Sequence, residues 1–445
     1  MLEGPLLLLI FLLAIMFIIV MTAKVKMNAF LVLLLASFGT GICAGMEPLT
    51  VIKTITDGFG DILGYIGIVI ICGTIIGTIL EKSNATLTMA NSVLGLIGKT
   101  KSALAMSVTG AVVSISVFCD SGFVILSSLN KTLAKKSNIS MTTMAVALSS
   151  GLYATHTFIP PTPGPIAAAG NLDADIGMVI IFGIIVSIPA VFSGYLWAKY
   201  IGSKYYIEPD IEIDTALDSQ NLPGVFLSFA PITVPLVLIT LKSIADFPGL
   251  PFGDGSIKLF FGFFGNPTVA LLLGVFIAFG LLPKPRWKDK YINGWVGEGI
   301  KNASSIVMIT GAGGAFGAIL KATAIGDYLS TSLAEYQIGI FLPFIIAAAL
   351  KTAQGSSTVA LITTSALISP MLPELGLDTE AARALTVIAI GAGAMIISHA
   401  NDSYFWVVSQ FSGLDTTTAY KSHSVATLIQ GIVSIVFIYG ISILL

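Results

Sequence analysis

The sequence predicts an all-α polytopic membrane protein with two inverted repeats, re-entrant hairpins and broken helices. Three observations support this prediction. The 445 residues are 55% hydrophobic and only 10% charged, whereas soluble domains are about a quarter charged. Two apolar segments are interrupted by polar or proline-rich stretches, each of which carries a histidine. Similar residues also recur in the two halves of the chain at a nearly constant separation.

Apolar runs of about 20 residues predict membrane-spanning helices. The predicted segments are 5–21, 28–44, 62–80, 102–119, 123–133, 141–158, 176–198, 224–241, 259–282, 304–320, 339–353, 358–371, 381–398 and 425–445, with short helical segments at 166–171 and 404–411. Segment 123–133 is too short to cross a bilayer, which indicates that it turns back within the membrane.

The predicted organisation has five parts. Residues 1–56 form N-terminal spans, 57–201 the first repeat, 202–222 a hydrophilic linker, 223–296 intervening spans, and 297–445 the second repeat. The linker is assigned because it contains several acidic residues and no apolar run long enough for a span.

The first interrupted helix is predicted at 155–165, where the sequence reads THTFIPPTPGP. Its prolines remove backbone donors and prevent a continuous helix. Free carbonyl groups at membrane depth are tolerated only where protein buries them or water reaches them. A histidine at such a break predicts the wall of a substrate pathway, and we expect His156, Thr157 and Thr162 to contact the substrate. The alternative is a proline kink near the membrane surface.

The repeat prediction rests on matches about 240 residues apart. The pattern Gly-x-x-x-Gly at 73–77 recurs at 313–317, and His156 corresponds to His399. If 102–133 is a re-entrant hairpin, most lysine and arginine residues fall on the cytoplasmic side, as the positive-inside rule requires. The two repeats then have opposite orientations. Inverted repeats are typical of secondary transporters, whose sites lie near the midplane at the repeat interface.

Two hairpin tips are predicted to hold the substrate. Asp120 follows an uncharged apolar run, and a carboxylate at the midplane costs at least about 2.5–3.5 kcal/mol, so it needs a partner, a proton or water. Backbone N–H groups at the start of the following helix suit an anion. The predicted ligands are Ser121 and Gly122 in the first tip, and Gly355, Ser356, Ser357 and Thr358 in the second. The alternatives are a solvated turn for the first and a small-residue packing turn for the second.

A third polar group, residues 398–403, interrupts the span that begins at 381. Here we expect Asn401 and Ser403 to bind substrate, although an ordinary helix end at the cytoplasmic surface is the alternative. Lys351, near the second hairpin tip, is a further candidate for meeting an anion. The proton-coupling candidates are Asp120, Asp402, His156 and His399. The aspartates are expected to carry the proton, since protonation removes the cost of an ionised group in the membrane, with the histidines as hydrogen-bonding partners.

Several motifs carry a resemblance to a known family. They are Gly-x-x-x-Gly at 73–77, DSGFV at 120–124, HTFIPPTPGP at 156–165, ITGAGGAF at 309–316, GSSTVA at 355–360 and HANDS at 399–403. With these motifs the chain resembles, over essentially its whole length, the gluconate:H⁺ symporter family, the GntP-type gluconate permeases.

The resemblance implies a multi-pass permease of the bacterial inner membrane that imports gluconate, glycerate or a related sugar acid together with protons. It also implies an ion-transporter-superfamily-like architecture of scaffold plus transport domain, which is usually dimeric. Gluconate carriers commonly have valine at the position of Ser121 and histidine at the position of Thr162, so a smaller acid such as glycerate stays open.

Two other functions are weighed against this one. A Na⁺-coupled carboxylate carrier or a D-serine carrier is an alternative within transport, because unwound helix carbonyls suit Na⁺ equally. A channel or an intramembrane enzyme is a different class, and an enzyme would need a nucleophile with a base or a metal set. The expected partners are a small anionic substrate, protons or Na⁺, the lipid bilayer and a second copy of the chain. No nucleic acid, no cofactor and no metal is expected.

Overall fold

The computed structural model describes residues 5–98, 101–115, 117–209, 222–245, 255–283, 289–323, 339–399 and 402–444. Over these ranges the chain is helical and contains no strand. The first helices are α1 (Pro5–Ile19), α2 (Ala29–Cys43), α3 (Pro48–Lys82), α4 (Ala85–Ile97), α5 (Ser102–Val113), α6 (Cys119–Lys136), α7 (Met141–Phe158), α8 (Pro163–Asn171) and α9 (Ile176–Tyr200).

The later helices are α10 (Val225–Ala245), α11 (Ser256–Phe264), α12 (Pro267–Ala278), α13 (Asp289–Ala322), α14 (Phe341–Gln354), α15 (Ser357–Ile368), α16 (Glu380–Ala394), α17 (Ser403–Phe411), α18 (Thr416–Ala419) and α19 (Val425–Leu444). Short π-helical turns occur at Val20–Lys24 and Tyr420–Ser424, and 3₁₀ turns at Gly202–Lys204, Phe279–Leu281 and Ser369–Met371.

Several helices are long and apolar enough to cross a membrane. In the described part of the chain four single helices meet this criterion, namely Ile176–Lys204, Val225–Lys242, Tyr291–Ala322 and Thr416–Leu444, and two bent helix pairs raise the number to six. Many large apolar side chains are exposed on the surface of the protein; Ile188, for example, is 65% exposed and Val436 is 63% exposed. Apolar surface of this extent is typical of contact with a membrane or another protein. Together with the long apolar helices it indicates a multi-pass membrane protein.

Some predicted boundaries are wrong. Segments 62–80 and 304–320 are only the C-terminal parts of the longer helices α3 and α13. Their starts were missed because the N-terminal turns of both helices are more polar than a membrane span. Segment 259–282 is two helices, bent by 66°, and α4 was not predicted. The predicted domain limits at 57 and 297 fall within α3 and α13, and residues 210–221 of the predicted linker lie outside the described residues.

Two helix pairs have the form of the predicted hairpins. Helix α5 ends at Val113 and α6 begins at Cys119, so Asp120 lies in the first turn of α6. Helices α14 and α15 meet at Gly355, whose φ of +86° is a left-handed conformation that glycine adopts without steric cost. The re-entrant placement of these pairs, and the inverted relation of the two halves, stay predictions.

The two interrupted helices predicted from the sequence are both present. Helix α7 ends at Phe158, and Ile159 is extended because a residue before proline is pushed out of the helical region. Helix α8 then starts at Pro163, a first-turn position where proline loses no hydrogen bond. In the second half, α16 ends at Ala394 and α17 begins after Asp402, whose carboxylate caps its N-terminus.

Helix α7 forms the centre of the molecule, and all its residues are buried. It packs closely on α5, where a Cβ atom at Gly151 would overlap the backbone carbonyl of Ser107. Small residues allow this approach between membrane helices. The packing of α7 brings its C-terminal turn, with Tyr153 and His156, beside the starts of α15 and α17.

Candidate functional site

A cavity of about 260 Å³ lies where three helices begin. Its walls include the first residues of α6, α15 and α17, and the lining residues are Phe118, Cys119, Asp120, Tyr153, His156, Gly355, Ser356, Ser357, Thr358, Asp402, Ser403 and Tyr404. We call it the central cavity. The partial positive charges of helix N-termini attract anions. The volume of the central cavity is slightly below the range of about 300–1,000 Å³ that is typical of sites for drug-sized ligands. The cavity therefore suits a small molecule.

A buried ion pair lies beside the central cavity, and one of its two residues, Asp402, lines the cavity. The Nζ atom of Lys351 is 2.6 Å from Oδ2 of Asp402 and 2.5 Å from the carbonyl oxygen of Gly355, and the two charged side chains are only 1% and 6% exposed. Ser398 Oγ donates a further hydrogen bond of 2.6 Å to Asp402. Removing either partner of such a pair costs about 3–5 kcal/mol, because the other charge is left buried alone.

Two tyrosines connect the broken helix α7 to the second half of the chain. The hydroxyl of Tyr153 is 2.6 Å from Ser357 Oγ and donates to Asp402 Oδ2 at 3.5 Å. Tyr404 donates to the backbone carbonyl of Ser149 at 3.1 Å. The two rings are 5.1 Å apart, and Lys351 Nζ lies 5.8 Å from the centre of the Tyr153 ring, within the range of a cation–π contact.

Asp120 and His156 each have an open hydrogen-bonding position. Asp120 Oδ2 accepts from Ser403 Oγ at 3.2 Å, but its Oδ1 atom is buried and has no partner among the described residues. The same holds for His156 Nδ1, whose ring packs 6.0 Å from that of Phe118. Buried polar groups are normally paired, so a ligand or water in the central cavity can supply the missing partner.

The central cavity collects most of the predicted site residues. These are Asp120, His156, Gly355, Ser356, Ser357, Thr358, Asp402 and Ser403. They come from both halves of the chain. Asn401 lies outside the described residues.

The remaining predicted residues lie elsewhere. Ser121 and Thr162 line a separate cleft of about 30 Å³ against α3, together with Glu81 and Asn302. Gly122 packs on Leu152, and its Cβ position is 2.7 Å from Leu152 Cδ2.

The last two of these residues make local contacts with the backbone. The hydroxyl of Thr157 donates to the carbonyl of Tyr153, one turn earlier in its own helix, at 3.2 Å. His399 Nε2 is 3.0 Å from the carbonyl oxygen of Thr352, at the end of α14 and outside the set that lines the cavity.

Other polar residues lie at or near the central cavity. Lys351, a further candidate from the sequence, is buried in α14. The sequence alone indicates this residue, since a lone lysine within an apolar run marks function. The sequence gives no reason to select Tyr153 or Tyr404 as site residues, because aromatic residues in membrane-spanning helices usually pack against neighbouring helices. The third histidine, His423, is buried in a π-helical turn, 3.1 Å from Ser149 Oγ.

Within the described residues, no group of three or more His, Cys, Asp or Glu side chains is placed to hold a metal ion. The polar groups of the site are instead a lysine, two carboxylates, hydroxyls and helix N-termini. This set can bind a small charged and hydroxylated molecule.

Comparison with known proteins identifies the family. The model described as "GntP family permease" matches residues 6–444. A gluconate permease from Pseudomonas aeruginosa is 32% identical over 436 residues, 96% of this chain and 95% of the relative. The D-serine transporter DsdX of Escherichia coli is 32% identical over 437 residues, 95% of each chain. An uncharacterized permease from Haemophilus influenzae is 36% identical over 423 residues, 91% of this chain and 85% of the relative.

Two solved structures share the fold. MtrF of Neisseria gonorrhoeae, from a class of antimetabolite efflux pumps, has a TM-score of 0.67 at 13% identity and covers 94% of this chain and 96% of its own. The YdaH transporter of Alcanivorax borkumensis has a TM-score of 0.55 at 15% identity and covers 89% of both. The family and these relatives are transporters and not enzymes, as predicted. The resemblance drawn from the motifs is confirmed, and the chain belongs to the GntP family of permeases.

Proposed function

We propose that this permease is a secondary active transporter that imports a small sugar acid or related hydroxy-carboxylate, such as gluconate or glycerate, by symport with protons. The observation that carries the proposal is the buried Lys351 beside a cavity where three helices begin. A lysine and helix N-termini together attract a carboxylate. The similarity to a gluconate permease supports the same substrate class.

The hydroxyl groups of the central cavity favour a hydroxylated substrate. Ser356, Ser357 and Thr358 at the start of α15 offer hydroxyls next to backbone N–H groups. Ser403 and His156 lie on other walls of the cavity. In the proposed pose the substrate carboxylate lies toward the start of α15, and its hydroxyl groups meet Ser403 and His156.

We further propose that Asp120 and Asp402 bind the transported proton. Each lines the central cavity. In the proposed architecture this cavity lies at membrane depth, where an ionised carboxylate costs at least about 2.5–3.5 kcal/mol on insertion scales. Only Asp402 has a cation beside it among the described residues. In this proposal His156 and His399 act as hydrogen-bonding partners that influence the proton sites.

We propose that the protein lies in the bacterial inner membrane as a homodimer. Each subunit would contain two inverted repeats that form a scaffold domain and a transport domain. The order of elements supports the repeats, because a long helix, a hairpin-like pair and an interrupted helix occur in each half. Relatives from bacteria that match this chain over about 95% of their length support the inner-membrane location.

The second candidate is a carrier of D-serine or a similar amino acid, or one driven by Na⁺. Asp120 favours the amino acid, because its open Oδ1 can accept an ammonium group, and DsdX is a relative. Na⁺ coupling is compatible with the carbonyls freed by interrupted helices.

Transport by purified protein in liposomes tests the proposal. Labelled gluconate, glycerate and D-serine are each assayed for counterflow, and then for accumulation under an imposed inward proton gradient or an inward Na⁺ gradient. We expect counterflow of a sugar acid and accumulation that a proton gradient drives and a protonophore abolishes. Counterflow of none of the three would refute the proposal. Accumulation driven by Na⁺ alone, or D-serine as the sole substrate, would favour the second candidate.

A further inference from the structure

We propose that Lys351 links substrate binding to proton binding by competition. The substrate carboxylate takes the Lys351 ammonium from Asp402, and Asp402, having lost its cation, takes up a proton. This inference rests on the proposed function and adds the residue through which the two ligands become coupled.

The contacts of the ion pair make the exchange possible. Lys351 is not itself among the lining residues, but its two partners, Asp402 and Gly355, both line the central cavity. A substrate carboxylate that reaches this wall therefore lies beside Asp402, the carboxylate that is already paired with the Lys351 ammonium group. The lysine side chain is a flexible four-carbon stem with a rotatable donor group, so Nζ can exchange one carboxylate for another by rotations of the side chain alone.

The charge balance requires a compensating proton. Among the described residues the site holds one buried lysine and two carboxylates, Asp120 and Asp402, so an anionic substrate brings a third carboxylate to a single cation. An unpaired buried anion is strongly unfavourable. One proton from the aqueous side forms an O–H bond on the Asp402 carboxylate, no bond of the substrate breaks, and the added charges of the anion and the proton cancel.

In this proposal the proton goes to Asp402, because Asp402 is the carboxylate that loses its cation. The Asp402 carboxylate is paired with Lys351 and accepts hydrogen bonds from Ser398 Oγ and from the backbone N–H of Tyr404. When Lys351 leaves, only neutral donors remain around the Asp402 carboxylate. The charge state of Asp120 is less affected, because its side-chain bond is to Ser403 and involves no ion pair in the described structure.

The other groups that face Asp402 do not replace the lysine. The ionisable groups that interact with it are Lys351, Cys119, Asp120, Tyr153, His156, Tyr404 and His423, and His399 lies on the same loop. Among the described residues only Lys351 lies within ion-pair distance of the carboxylate.

Proton uptake on ligand binding tests the inference. Gluconate, glycerate and D-serine are titrated calorimetrically into the purified wild type in two buffers of different ionisation enthalpy, which reports the protons bound per ligand. We expect about one proton fewer per ligand in Asp402→Asn than in the wild type, by linkage, with affinity no weaker, because Lys351 is then free for the substrate. We expect Lys351→Gln to weaken affinity at least about ten-fold.

Matched controls separate this role from a structural one. Lys53 and Asp57 form a pair with the same separation of 2.6 Å but with side chains 78% and 55% exposed. The double variant Lys53→Gln/Asp57→Asn should change neither proton uptake nor affinity. The double variant Lys351→Gln/Asp402→Asn leaves no unpaired charge, so it should fold and yet bind weakly.

Several results would overturn the inference. They are no proton uptake by a wild type that binds ligand, undiminished uptake in Asp402→Asn, or unchanged affinity in Lys351→Gln or in the Lys351/Asp402 double variant. Each of these would leave the proposed substrate class in place. Failure of the wild type to bind any of the three ligands would instead overturn the proposed function, and this inference with it.

Discussion

The hydroxyl of Tyr153 and Oγ of Ser357 lie 2.6 Å apart and join the first interrupted helix to the start of α15 at the wall of the central cavity. The two residues belong to different halves of the chain. The same tyrosine hydroxyl also reaches Asp402. The site is thus a contact region between the halves, and its ligands depend on how the halves pack.

Tyr153→Phe should weaken this junction without removing its ring. A net hydrogen bond contributes about 0.5–1.5 kcal/mol, so we expect a small fall in thermal stability and a two- to ten-fold loss of substrate affinity. The measurements are the melting temperature in detergent and the counterflow KM. Tyr200→Phe, at a position 61% exposed, is the control and should change neither. Wild-type affinity in Tyr153→Phe would show that the junction does not support the substrate site.

Asp120→Asn should separate exchange from accumulation. Oδ1 of Asp120 is buried without a partner among the described residues, so the ionised form is costly and a proton relieves it. We expect counterflow to persist while accumulation driven by a proton gradient falls at least about ten-fold, equivalent to 1.4 kcal/mol. Asp415→Asn, at an exposed helix cap, is the control. Unimpaired accumulation with an unchanged pH profile in Asp120→Asn would place this proton site elsewhere, with His156 next to test.

Ser356 is predicted to hold the substrate carboxylate. Ser356→Leu fills the cavity wall and should abolish binding while the protein still inserts. Ser356→Ala should cost about 1.5–3 kcal/mol of binding if its hydroxyl bonds a charged group. Because Ser356 also caps α15, the control is Thr379→Ala, which removes an equivalent cap from α16 at an exposed position. Equal uptake affinities in Ser356→Ala and Thr379→Ala would argue that Ser356 only caps its helix.

The inverted-repeat prediction can be tested by the sidedness of exposed positions. Lys135 is exposed at the end of α6, after the first hairpin-like pair, and Asp378 is exposed after the second. We expect a membrane-impermeant thiol reagent to label Lys135→Cys from the cytoplasm and Asp378→Cys from outside, in a background without the native cysteines. Labelling of both from one side would end the inverted-repeat interpretation.

The contact between α5 and α7 is predicted to be intolerant of added volume. A Cβ atom at Gly151 would overlap the Ser107 carbonyl, and overpacking costs about 1–3 kcal/mol or more. Gly151→Ala should therefore lower the melting temperature markedly. Gly95→Ala in α4 has no atom within 4 Å of the new Cβ position and should not. Equal melting temperatures would mean that the two helices can separate without cost.

Local sequence determined the membrane character, the helical class and the positions of the interruptions. These depend on hydropathy and on the backbone restrictions of proline, which neighbouring residues alone decide. For this reason the break after Phe158 and the polar starts of α15 and α17 were recognisable. The motifs also carried the family resemblance over nearly the whole chain.

Only the tertiary structure decided which polar residues share one cavity. Asp120 and Ser121 are neighbours in sequence, yet successive residues of a helix point in different directions, so Asp120 lines the central cavity and Ser121 the separate cleft. The pairing of Lys351 with Asp402 joins residues from two helices, and no local pattern specifies such a contact. A buried charge is stable only with its partner, so the role of each residue follows from the packing of α7, α14 and α17.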